Sequence, residues 1–163
     1  MDLESLSIGV AVIASLLVPI IVFNLKQRQK AATMLRDLNA VAQRHGMQVS
    51  RHAFWNGLAI GLDAISNKVL YVGQQGEPLL IDLNMVTDCK LRYDYKEQHG
   101  SRIVELVALQ FNFREKHLPE QELLFYSKES SLAFNQELVL AKEWQNLLAE
   151  QLKHKQAVAS VVG

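Results

Sequence analysis

The chain has 163 residues, with 17 Lys and Arg against 17 Asp and Glu, so its formal net charge is zero. That balance argues against nucleic acid as the main partner, because binding along phosphates needs a surplus of cations. A lone cysteine, Cys89, permits no internal disulfide, and nothing points to an oxidising compartment.

Leu6 to Leu25, LSIGVAVIASLLVPIIVFNL, holds no charged residue. A bilayer core is ~30 Å thick and takes roughly 20 helical residues to cross. The stretch meets that length and is read as a transmembrane helix, with residues 1–25 as an N-terminal single-pass anchor. Asp2 and Glu4 precede it, while Lys26, Arg28 and Lys30 follow it. Basic flanks stay inside, so the N-terminus is expected outside and the remainder in the cytoplasm, at an inner membrane. A cleaved signal peptide is the rival reading. It wants a basic start and a small-x-small cleavage site, and neither is present. Ser7, Ala11 and Ser15 recur every four residues, a spacing that lets membrane helices approach closely and makes them a candidate helix-packing face. Pro19 is expected to kink the helix.

Residues 26–47 are read as a juxtamembrane helix. Ala31, Leu35, Leu38 and Ala42 form a stripe at helical spacing, and Gly46 is a C-terminal stop. The stripe is short and half alanine, so it is expected to pack on the domain or on a neighbouring subunit rather than form a coiled coil alone. Lys26, Arg28 and Lys30 are positioned to touch anionic headgroups.

From residue 48 the period changes. Ala53 to Leu62 reads as a first strand, bent or bulged at Gly57 and Gly61. Strands follow over Lys68 to Gly73, Pro78 to Leu83, Val86 to Lys96, Arg102 to Phe113 and Glu122 to Tyr126. Gly100 is placed for positive φ in the loop between the fourth and fifth. Ser127 to Ser131 offers N-caps, and Leu132 to Leu152 is the last helix, with Phe134, Leu138, Ala141, Leu148 and Leu152 near one face and Trp144 close to it. Residues 48–154 thus make one domain, and residues 155–163 read as a flexible tail.

The fold class expected is α+β: a bent antiparallel sheet or small barrel of six to seven strands, its open end capped by the C-terminal helix. At this level the chain resembles the pleckstrin-homology-like superfold. The resemblance rests on the hairpin-linked strands, the final helix and Trp144 within Leu140 to Leu148, LAKEWQNLL. It implies that Trp144 packs over the sheet as a structural core residue. It departs in strand number, since that fold has seven strands and six are counted, unless Ala53 to Leu62 holds two. Some members bind phosphoinositides through several cations on the first hairpin. Here Gly57 to Gly73 offers only Lys68 against Asp63, too few to pair clustered phosphates.

Reactive groupings do not emerge. His45, His52, His99, His117 and His154 are scattered, without metal-ligand spacing, and no P-loop or nucleophile elbow occurs. Cys89 reads as a core residue on a strand. No catalytic, cofactor-binding or metal-binding residue is assigned, and no cofactor is expected. The expected function is a membrane-anchored cytoplasmic scaffold whose domain recruits a protein partner or docks into a membrane complex, with self-association compatible. The alternative is an anionic-lipid or phosphoinositide sensor using Lys26, Arg28, Lys30 and Lys68.

Overall fold

A computed structural model describes residues 29–73, 77–115, 117–130 and 134–162, with side chains up to 154. Helix α1 covers residues 29–44. It stops where its sequence says it should. Gly46 takes a φ of +67°, its N–H reaches Gln43 O at 3.0 Å, and Met47 N–H reaches Ala42 O at 2.9 Å. These paired bonds satisfy the last carbonyls of the helix, and the left-handed residue between them suits glycine. Along the stripe Leu38 and Ala42 are buried, Leu35 is half-buried and Ala31 is exposed.

Seven strands follow: β1 (Arg51–Trp55), β2 (Leu58–Asp63), β3 (Lys68–Val72), β4 (Leu79–Asp82), β5 (Val86–Gln98), β6 (Ser101–Phe113) and β7 (Gln121–Ser127). The last element is helix α2 (Glu137–Val162). All pairing is antiparallel, in two sheets ordered β1-β2-β3-β4 and β5-β6-β7. Sequential hairpins explain the order within each sheet, while the short link of residues 83–85 carries the chain from β4 to β5 without pairing them.

The expected fold class needs correction in three respects. The strands build two sheets, of four and three strands, rather than one bent sheet. The stretch read as a single bulged strand, Ala53 to Leu62, is the hairpin of β1 and β2. Asn56 and Gly57 both take positive φ, 44° and 77°, and close it in two residues. Such a turn matches the twist of the flanking strands, and Asn-Gly is its preferred sequence. Finally, no helix among the described residues is long and apolar enough to cross a membrane. The transmembrane reading rested on residues 6–25, which lie outside the described residues, as do Ser7, Ala11 and Ser15.

The final helix also differs at both ends. It begins at Glu137 rather than Leu132 and continues to Val162 through the stretch read as a tail. Ser127 and Ser130 close a turn after β7 instead of capping a helix, and Ser131 lies outside the described residues. Ser130 N–H and Oγ both bond Ser127 O at 3.1 Å, and Glu129 N–H bonds Ser127 Oγ at 3.3 Å. Short hydroxyl side chains compete with helix in this way.

Two cores result. The larger lies between the sheets and α2, where Ile60, Val69, Ile81, Leu109, Phe111, Leu123 and Phe125 meet Ala141, Trp144, Leu148 and Leu152. The spacing of three, four and four along α2 is a single helix face. Trp144 is 5% exposed within that core. The smaller core holds α1 against the first sheet, with Leu38, Ala42 and Met47 packed with Ala59 and Leu70. Gly61 lies in that contact and keeps it close. A Cβ there would stand 3.2 Å from Val49 Cγ1 and 3.4 Å from Leu38 Cδ2, a tight fit that those side chains would have to yield to by a few tenths of an ångström.

Candidate functional site

The β1–β2 hairpin tip meets the N-terminal end of α2, and an open groove of about 600 Å³ lies between them. Phe54, Trp55 and Asn56 form one wall, and Asn135 to Glu137, Val139, Leu140 and Glu143 form the other. The walls are joined by one buried carboxylate. Glu137, 4% exposed, accepts 2.6 Å hydrogen bonds from Asn56 Nδ2 and from the backbone N–H of Asn135. A carboxylate at a helix start favours the unsatisfied N–H groups there, and two donors offset its burial. Trp55 is fixed as firmly. Its ring stacks on Phe125 with centroids 4.5 Å apart, and its Nε1–H donates to Phe125 O at 2.9 Å.

What remains free in the groove is acidic and apolar. Glu143 is exposed and has no ion-pair partner among the described residues, and Val139 is 58% exposed. The lining carries two carboxylates and no Lys, Arg or His. A second groove, of about 500 Å³, runs over Arg92, Asp94, Lys96, Glu105 and Lys128, and its charges are largely spent on one another. Arg92 bridges Asp94 at 2.8 Å and Glu122 at 2.9 Å, and Lys96 meets Glu105 at 2.7 Å.

Comparison with protein-family models, curated proteins and solved structures returned no match. The site must therefore be judged on its own chemistry.

The buried reactive groups elsewhere are committed to structure. Burial, aided by the negative charge of Asp88, pushes the Cys89 thiol up to about 12, so it stays protonated and is a poor nucleophile. Burial likewise raises the Tyr71 phenol to about 12, and its O–H donates to Leu124 O at 2.8 Å. Asp63, 3% exposed, closes the β2–β3 turn. Burial opposes its ionisation, but N–H groups of Gln48, Ser66 and Ile65 outweigh that and hold its pKa below the ordinary carboxylate value. Among the described residues no group of three His, Cys, Asp or Glu could hold a metal ion.

The cations singled out in the sequence are not brought together where they can be described. Lys30 is exposed in the first turn of α1. Met34, four residues on, shares a small apolar cleft with Gly57 at the β1–β2 tip. Past the far end of α1, Gln48 N–H bonds the carboxylate of Asp63, the register partner of Lys68. A helix of this length spans roughly 24 Å, so Lys30 and Lys68 stand at opposite ends of it. Lys26 and Arg28 lie outside the described residues. The acidic groove had no linear signature, because Asn56 and Glu137 are 81 positions apart. One signal was present in the sequence: Val139 is an apolar residue off the buried face of its helix.

Proposed function

We propose that this chain is a membrane-held binding protein whose cytoplasmic domain recruits a protein partner or docks into a membrane complex. The observation that carries the reading is the open groove between the β1–β2 tip and α2, where aromatic and aliphatic side chains sit beside uncommitted acidic charge. Concave surfaces of that kind are where ligands bind. The commitment of Cys89, Tyr71 and Asp63 to burial and hydrogen bonding supports binding over catalysis.

Attachment at an inner membrane is supported by the uncharged stretch from Leu6 to Leu25 and by the basic residues after it. α1 enters the domain at the groove end, since Met34 and Gly57 line one cleft. Kinship with the pleckstrin-homology-like superfold is part of this reading. It is supported by four strands and then three in hairpin order, by a closing helix and by a buried Trp144. Fold kinship alone would not specify a ligand.

The test is purification of the full-length protein from native membranes in mild detergent, with mass spectrometry of what accompanies it. A stoichiometric protein partner is expected. Recovery of the chain alone, with lipid as its only companion, would overturn the reading in favour of headgroup binding.

A further inference from the structure

We propose that the groove takes a basic, apolar-flanked peptide segment: an Arg or Lys side chain set toward Glu143, with an aliphatic neighbour on Val139 and Leu140. The chemistry of the lining selects this occupant. An anionic ligand would approach Glu137 and Glu143 with no cation in the wall to receive it, and like charge at close range is costly. The helix N-terminus does not rescue an anion, because the Glu137 carboxylate already supplies negative charge in its first turn. A wholly apolar ligand would bury Glu143 without a partner. A cationic side chain satisfies Glu143, and a guanidinium does so with a planar fork that matches a carboxylate. The exposed Val139 supplies the apolar contact next to it.

The source of such a segment rests on the proposed membrane location. The groove is at the end of the domain where α1 enters. Cytoplasmic segments beside membrane-spanning helices are rich in Lys and Arg, followed immediately by apolar residues. The flank of a neighbouring membrane protein therefore has both the composition and the position required. The charge argument itself stands on the groove alone.

The decisive experiment titrates full-length protein in mild detergent with short fluorescent peptides of alternating Arg and Leu, Gln and Leu, or Glu and Leu, read by anisotropy. The Arg peptide is expected to bind best and the Glu peptide not at all. Glu143→Arg should weaken the Arg peptide by about tenfold, the scale of removing and reversing one interfacial charge. Glu150→Arg makes the same charge change at an exposed position of α2 outside the groove, and should change binding less than about twofold. Equal binding of the Arg and Glu peptides, or equal loss in the two variants, overturns the proposal. So does concentration-dependent self-association that Glu143→Arg abolishes while no peptide binds, which would make a second copy the occupant. A partner recovered from membranes equally by wild type and Glu143→Arg overturns this inference and leaves the binding reading standing. No partner with either chain removes the binding reading, whatever the peptides do.

Discussion

The two ends of α2 in contact with the sheets treat their polar groups in opposite ways. At the far limit of its buried face, beside Leu152, Gln151 Nε2 donates to Ala64 O at 2.9 Å and to Asn67 Oδ1 at 2.5 Å. Both acceptors lie in the β2–β3 turn, which Asp63 ties to α1's exit through Gln48. That end is closed, with Gln151, Asn67 and Asp63 holding three elements together. At the N-terminal end a single buried carboxylate, Glu137, joins helix to hairpin, and the surface around it stays open. Stability is concentrated where the polar groups are spent, and binding capacity remains where they are not.

The largest expected effect falls between the two ends. Trp144→Ala removes a buried indole from the core that holds α2 on the sheets. Truncating a buried Trp costs about 3–5 kcal/mol, a large part of a domain's total stability. Urea denaturation followed by fluorescence of Trp55 should show a strongly lowered midpoint. A midpoint near wild type would mean that the ends alone hold the helix.

Asp63→Asn attacks the closed end and should cost about 1–3 kcal/mol near neutral pH, the scale of leaving buried N–H groups poorly matched. The sign of its pH dependence follows from the lowered pKa of Asp63. A depressed folded-state pKa contributes stability that is fully present above the unfolded value, about 3.9, and is lost as pH falls through the folded value. The gap between wild type and Asp63→Asn should therefore be widest above about pH 5 and narrow below about pH 4. Denaturation midpoints at several pH values check this, and a gap that does not narrow in acid would remove Asp63 as the anchor of the turn.

How much of this contrast was legible in the sequence differs between the ends. Gly46, the stripe at Leu38 and Ala42, five of the strands and the core face of α2 all follow from local periodicity, which survives folding because each element buries one face. The β1–β2 hairpin stood only as an alternative to one bulged strand, although Asn56-Gly57 is the strongest two-residue turn signal. The apolar residues on both sides, AFW and LAIGL, run together as one strand when hydrophobicity alone is read. The start of α2 was missed because serine hydroxyls that resemble caps bond locally to Ser127. The division into two sheets and the meeting of Asn56 with Glu137 are long-range facts with no local trace.

Gln151→Ala sharpens the comparison at smaller cost. It removes two hydrogen bonds at a partly exposed position, worth about 1 kcal/mol in all. Faster amide exchange in the β2–β3 turn, with the rest of the first sheet little changed, is the expected signature. Uniformly faster exchange would instead show that the closed end unfolds only with the whole domain.

Val139→Ser probes the open end, where the smallest change in stability is expected. The side chain is 58% exposed and borders the groove. A substitution at such a position shifts stability by less than about 0.5 kcal/mol, so the denaturation midpoint should not move. Partner recovery from native membranes should nonetheless fall, because the apolar half of the groove loses its outermost contact. A drop in both quantities would mean that Val139 supports α2 itself, and the two ends would then differ in degree rather than in kind. A drop in recovery alone separates them: the closed end would hold the fold, and the open end would be free to bind because the fold does not depend on it.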